Sequence, residues 1–144
     1  MVEVVLPNDA NPLGFMLGGK VMHLIDIAGA IAGHRHTRQR VVTAAIDELQ
    51  FLHPIKVGDL IILKARVTCA FTTSIEVQVD VFVEEALTGR RQQTSRAYLT
   101  FVAIAQDGGP VPVPPLAVET DEERRVAGEA HARRAERLKK RLAP

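Results

Sequence analysis

Residues 74 to 83 alternate: Ile75, Val77, Val79, Val81 and Val83 on one side, Ser74, Glu76, Gln78 and Asp80 on the other. Successive strand side chains point to opposite faces, so this run predicts a strand with one apolar and one polar face. Leu60 to Ala70 alternates too, with Ile61, Leu63, Ala65, Val67 and Cys69 set against Lys64, Arg66 and Thr68. Arg91 to Ala105 is a third long run, closed by Asp107-Gly108-Gly109. Val41 to Phe51 is a fourth and the least regular, ending at the Pro54 to Asp59 connection. Thr88-Gly89 marks a hairpin turn. Long strands joined by short turns predict an antiparallel sheet with one buried face.

Something has to cover that face, and one apolar helix precedes the strands. Val21, Leu24, Ile25, Ala28, Ile31 and Ala32 recur at three- and four-residue spacing, predicting a helix from about Gly19 to about Arg35. Its second half, Ala28 to Gly33, is almost all small residues. Gly29 and Gly33 each cost about 1 kcal/mol relative to Ala in a helix. Close packing on most sides is what offsets that cost, so a buried central helix is expected. The fold class is α+β: a curved antiparallel sheet wrapped around a long central helix. Residues 2 to 6 read as a short strand ended by Pro7, and Pro110 to Leu116 as an extended exit.

Residues 119 to 144 differ in composition from the domain spanning 1 to 118. Acids come early (Glu119, Asp121, Glu122, Glu123) and bases late (Arg137, Lys139, Lys140, Arg141), the order that complements a helix dipole. Glu129/Arg133 and Glu136/Lys140 have the spacing of helical ion pairs. A solvated C-terminal tail helix is expected; a basic tail that touches phosphates is the other reading.

The 144 residues suffice for one domain with a substantial core. A formal charge of +1, no Trp and a single Tyr argue against nucleic acid as a partner. The lone Cys69 excludes an internal disulfide or a multi-cysteine metal site, and no His/Cys/carboxylate spacing argues for metal. With neither a basic leader nor a long apolar run, a cytoplasmic protein without a membrane segment is expected.

Asp26 is the only carboxylate between Asp9 and Asp47, and it falls inside the apolar helix. An acid there is costly to bury unless partnered. Gly19, seven residues earlier, shares its face, and helical side chains lean toward the N-terminus, where N–H groups are free. Donors of that kind suit an oxyanion or a polarised carbonyl. A partly exposed helix acid after a glycine-rich loop fits the same spacing.

The residues also match a family pattern. Asn11-x-x-Gly14-x-x-x-Gly18-Gly19, then Asp26, then Ala32-x-x-Arg35-His36 resembles the hotdog-fold acyl-CoA thioesterases. The match continues through Val42-Thr43-Ala44-Ala45-Ile46-Asp47, Phe51-x-x-Pro54-Ile55-x-x-Gly58-Asp59, Thr73-Ser74-Ile75-Glu76-Val77, Thr88-Gly89, Thr100-Phe101-Val102-Ala103 and Pro112-Val113-Pro114-x-Leu116. It covers roughly residues 5 to 118. Leu17 departs from the pattern, since relatives often carry His or Phe there, and this bears on the acyl pocket.

The resemblance implies hydrolysis of acyl-CoA to the free acid and CoA, with CoA entering as part of the substrate and no separate cofactor. It implies a site shared between subunits, Asn11 of one facing Asp26 of another, hence a homodimer at least and, in larger assemblies, a trimer of dimers. Asp26 would be general base or nucleophile, Gly18 and Gly19 the oxyanion donors, Asn11 an orienting amide and Thr43 a supporting residue. Ser74 would touch CoA, and Arg35, Arg38 and Arg40 could meet its phosphates. Thr43 as a plain strand residue, Ser74 as a turn former and the arginines as solvated charges are the alternatives. His23, three residues before Asp26, keeps a hotdog hydratase or dehydratase in view. A non-catalytic acyl-CoA-binding protein on the same fold is the third reading.

Overall fold

The computed structural model describes residues 1–47 and 49–142. Glu48, inside the expected Val41 to Phe51 run, and Ala143 and Pro144 of the tail lie outside the described residues. The elements are β1 (Val2–Val4), a short 3₁₀ turn (Pro7–Asp9), α1 (Gly18–Thr37), β2 (Arg40–Asp47), β3 (Leu60–Ala70), β4 (Ser74–Glu84), β5 (Arg91–Ile104) and α2 (Asp121–Leu142). The five strands form one sheet in the order β1-β3-β4-β5-β2, every neighbour antiparallel. This is the hotdog arrangement: the sheet curls around α1, and Val21, Leu24, Ile25 and Ala28 meet Ile61, Leu63, Ile75, Val77, Val79, Val81, Leu99 and Phe101 in one core.

The two helix glycines are explained by how close the sheet comes. A Cβ on Gly29 would lie 3.0 Å from the Phe101 ring, and one on Gly33 3.3 Å from Ile75 and 3.4 Å from Val41. Both positions give up helix propensity for closer packing. The helix is nevertheless not enclosed on most sides. Ile27 and Ile31 on its other face are 36% and 44% exposed, Met22 near its start is 41% exposed, and Val42 on β2 is 45% exposed. α1 ends with Arg38 in the left-handed region (φ 54°), its N–H donating to the His34 carbonyl at 2.8 Å.

Two further expectations need correction. Cys69 does not continue the inward face of β3: a bulge between Val67 and Cys69 sets it opposite Glu76, on the outer face. One extra residue in a strand reverses the facing of every residue beyond it. The tail is helical, as expected, but it is not solvated on all sides. α2 docks on the outer face of the sheet, burying Val126 and Ala130. Arg133 crosses to the sheet and donates to both oxygens of buried Glu76, at 3.0 and 2.7 Å. Its guanidinium lies 3.6 Å from the Tyr98 ring centroid. His131 meets Cys69 at 3.4 Å and packs edge-on against Phe71, while Arg137 pairs with Asp47 at 3.1 Å. Glu129 is bonded by Arg125 at 2.8 Å.

Candidate active site

The loop before α1 is held by its own asparagine. Asn11 Oδ1 accepts from the N–H groups of Leu13 (3.0 Å) and Phe15 (3.1 Å), and its N–H donates to the Phe15 carbonyl at 2.8 Å. Gly14 takes the left-handed conformation (φ 85°) that such a tight turn needs. Met16 and Val57 then pin the loop to the Pro54–Asp59 connection through Met16 N–H to Ile55 O (2.7 Å) and Val57 N–H to Gly14 O (3.0 Å). Because both partners of Oδ1 are N–H donors, the amide orientation is fixed, and Nδ2 is what Asn11 can offer a ligand. Its role is therefore donation rather than both donation and acceptance.

α1 begins at Gly18 without a side-chain cap. Lys20 and Val21 already donate to the Leu17 carbonyl, at 3.0 and 3.2 Å. The N–H groups of Gly18 and Gly19 precede the first helical bonds, and both residues are exposed. A Cβ on Gly19 would meet nothing within 4 Å, so the backbone there opens onto free space. Together these are two convergent donors at the positive end of a helix dipole.

Asp26 is half-buried on the face of α1 that meets β2, and Thr43 Oγ1 donates to its Oδ1 at 2.5 Å. The carboxylate is thus committed to the neighbouring strand and does not fold back on its own helix start. Seven residues at 1.5 Å each separate the two by about 10 Å along the axis. His23 is exposed, and the hydrogen bond made by Asp26 goes to Thr43.

The residues expected at the CoA phosphates are not gathered. Arg35 lines a cleft of about 580 Å³ on the opposite side of α1, with Met1, Leu63 and Arg66. Arg38 caps the helix, and Arg40 opens β2. Ser74 opens β4 and lines a different cleft of about 630 Å³, which it shares with Arg134, Arg137 and Arg141 of α2. Sequence reasoning names Arg137 and Arg141 among the late bases of the tail but not Arg134, and does not gather the three. Their spacing of three and four puts them on one helix stripe, a signal that reads equally well as dipole complementation. Among the described residues, no group of three or more His, Cys, Asp or Glu side chains could hold a metal ion, and no helix is long and apolar enough to cross a membrane.

Residues 13–89, from the glycine loop through α1 to the β4–β5 turn, match the thioesterase superfamily, and the chain belongs to that family. Within it, the similar proteins are acyl-CoA thioester hydrolases. The uncharacterized acyl-CoA thioester hydrolase YkhA of Bacillus subtilis is 43% identical over 119 residues, covering 83% of this chain and 69% of the relative. Against the cytosolic acyl coenzyme A thioester hydrolase of Rattus norvegicus, 32% identical over 87% of this chain, the match spans only 33% of the relative's length. Among solved structures, an apo-hexameric acyl-CoA thioesterase superposes with a TM-score of 0.93 at 40% identity, covering 100% of this chain and 92% of that one. The acyl-CoA hydrolase of Staphylococcus aureus, solved with butyryl coenzyme A, coenzyme A and coenzyme A disulfide, gives 0.89 at 35% identity, over 99% and 87%. That enzyme has also been solved as single alanine variants of an asparagine, an aspartate and a threonine, spaced fifteen and seventeen residues apart in that order.

Proposed function

We propose that this chain hydrolyses acyl-CoA thioesters to the free acid and CoA, at a site completed by a second copy of itself. The observation that carries the reading is the Thr43 hydroxyl holding the Asp26 carboxylate at 2.5 Å on the exposed side of the fold. Asn11, Asp26 and Thr43 have the same fifteen- and seventeen-residue spacings as the three positions altered in the Staphylococcus enzyme, which supports treating them as one unit.

A thioester carbonyl is already electrophilic, and thiolate is a good leaving group. The site needs donors for the oxyanion and an activated oxygen nucleophile. Gly18 and Gly19 N–H supply the first, with Asn11 Nδ2 orienting the thioester or the water. Asp26 supplies the second by one of two routes. As base, it takes a proton from water as the water oxygen bonds to the carbonyl carbon and the C–S bond breaks, releasing CoA thiolate. As nucleophile, its own oxygen displaces the thiolate, and water then cleaves the resulting anhydride.

Distance argues for two copies. Reacting atoms sit about 3–3.5 Å apart, whereas the donors and carboxylate of one chain are about 10 Å apart along α1. Asn11, Gly18 and Gly19 of one subunit acting with Asp26 and Thr43 of another removes the mismatch. The exposed apolar side chains of Met22, Ile27 and Val42 flank this side, and β2 is an edge strand. A homodimer is the minimum assembly, and a trimer of dimers agrees with the hexameric relative. Acyl-CoA as substrate supports a cytoplasmic setting.

The test is thiol release from a panel of CoA thioesters by wild type, Asp26→Ala and Asp26→Asn. Both variants are expected to lose at least ~10²-fold in kcat and to keep the wild-type oligomer on size-exclusion chromatography. Undiminished turnover in either sinks the assignment.

A further inference from the structure

β2 is tied on both of its faces. On the inner face the Thr43 hydroxyl donates to Asp26 at 2.5 Å, and on the outer face Arg137 of α2 donates to Asp47 at 3.1 Å. We propose that the second tie serves the first: the Arg137–Asp47 ion pair is a positioning contact that keeps Thr43 on the Asp26 carboxylate, so that α2 acts on hydrolysis from the opposite side of the sheet. This rests on the roles given above to Asp26 and Thr43.

The bulge in β2 is the first argument. Residues four apart on a regular strand face the same way. Here the register steps from Thr43 opposite Phe101 to Ala45 opposite Thr100, and the extra residue reverses the facing. Thr43 therefore turns toward α1 alongside the core residue Phe101, while Asp47, opposite Tyr98, turns toward α2. A bulge disrupts the ladder locally, and β5 is the one strand neighbour β2 has within the chain. Thr43 borders that disruption, so the ladder fixes it less firmly than a residue in mid-strand.

The second argument is what holds Asp47. Arg137 is not a free surface arginine: its side chain is 20% exposed and that of Asp47 29%. One turn earlier on α2, Arg133 donates to both oxygens of Glu76, whose side chain is 2% exposed, and lies over Tyr98, the register partner of Asp47. The two arginines thus tie β4, β5 and β2 to one helix. The tie on β2 falls four residues from Thr43, about 13 Å of strand. A partly exposed ion pair adds little to stability; what this one supplies is the placement of the strand end.

Tolerance is the third argument. The Thr43–Asp26 bond is at the short end of its range, and a shift of about 1 Å in β2 stretches it beyond the usual O–H···O distance. Misplacement on that scale lowers enzyme rates by up to about 10²-fold.

The experiment is a double-mutant cycle on kcat with butyryl-CoA. Arg137 also lines the cleft shared with Ser74, so Asp47 is the residue varied. Asp47→Ala is expected to lower kcat about tenfold with KM kept, and Asp47→Asn, which retains an acceptor for Arg137, to lose less. In a Thr43→Val background, Asp47→Ala should cost little more, because the contact it serves is already gone. Size-exclusion chromatography and melts check the fold, and Asp47→Asn carries the same cycle if the alanine variant does not fold. Undiminished kcat, a change in KM alone, or a loss as large in the Thr43→Val background as in wild type overturns the proposal. If wild type releases no thiol, or Thr43→Val turns over like wild type, the underlying reading fails instead. The Thr43 methyl resonance, assigned by its absence in Thr43→Val, then decides the contact. Asp47→Asn should move it and Arg125→Gln, an exposed arginine of α2, should not; a resonance that Asp47→Asn leaves in place overturns the tie.

Discussion

Replacing Thr43 by Val removes one hydrogen bond and almost nothing else, which makes it the sharpest probe of the Asp26 assignment. The hydroxyl donates to Oδ1 at 2.5 Å, and valine has the same shape without the donor. Thr43 is exposed on an edge strand, where both residues have high strand propensity, so the fold should hold within about 0.5 kcal/mol. A hydrogen bond to a charged group is worth about 1.5–3 kcal/mol. If it holds the carboxylate in its working orientation, its loss appears in the transition state, and every 1.36 kcal/mol is about tenfold in rate. The expected fall in kcat is thus ~10- to 100-fold, with the melting curve unmoved. Thr43→Ser keeps the O–H and should retain most of the rate. The assay is continuous thiol release at saturating butyryl-CoA beside thermal melts of all three proteins. Wild-type kcat in Thr43→Val, or equal damage in Thr43→Ser, refutes the reasoning.

Two further outcomes test the docked tail. Arg133→Met leaves the buried Glu76 carboxylate without its guanidinium, the Thr68 hydroxyl still donating to Oε1 at 2.6 Å, and breaking such a pair typically costs about 3–5 kcal/mol, roughly 10 °C in Tm for a chain of this size. Glu76→Leu/Arg133→Met should recover most of that loss, and a double variant as unstable as the single one would mean the ion pair is not what α2 rests on. Burial, with the Glu76 charge adding to it, pushes the Cys69 thiol above its ordinary 9.0. The unfolded chain then releases that proton at lower pH than the folded one, so stability falls as pH rises from about 9 toward the folded value. Urea melts should show this slope in wild type and a flatter one in Cys69→Ala; identical slopes would contradict it.

How much of the molecule is legible in its sequence depends on the range of each interaction. β3, β4 and the start of α1 are legible because alternation and helix spacing are local patterns, and the bounds of β3 and β4 agree with the runs to the residue or nearly so. The Asn11–Gly19 loop and Asp26 are legible as a motif, but the partner of Asp26 is not. Thr43 reaches it only because β2 is laid beside α1 by the antiparallel register with β5. The outward turn of Cys69 depends on a bulge, which a period-two pattern cannot reveal. The docking of α2 is hidden for a related reason. Its polar composition reads as solvated, and the compensating acid, Glu76, lies on a strand 57 residues earlier.

The glycines of α1 tie packing to chemistry. Gly29 faces Phe101 and Leu99, and Gly33 faces Ile75 and Val41, at separations where even a methyl group would press on Phe101, Ile75 or Val41. Two such fixed points set the rotation of the helix about its axis. At about 100° per residue, Asp26 then lies about 60° from Gly29 on the side of Gly33, which is the side of β2. Arg35 comes out about 240° round, against Leu63 and Arg66 on β3, where the structure has it. The positions that lack side chains thereby decide that the acid meets Thr43 at an exposed sheet edge while the nearest arginine is carried away from it. That same rotation leaves Ile27 uncovered, and with Met22, one turn before the acid, the side of the helix next to Asp26 keeps apolar surface for a second copy to cover.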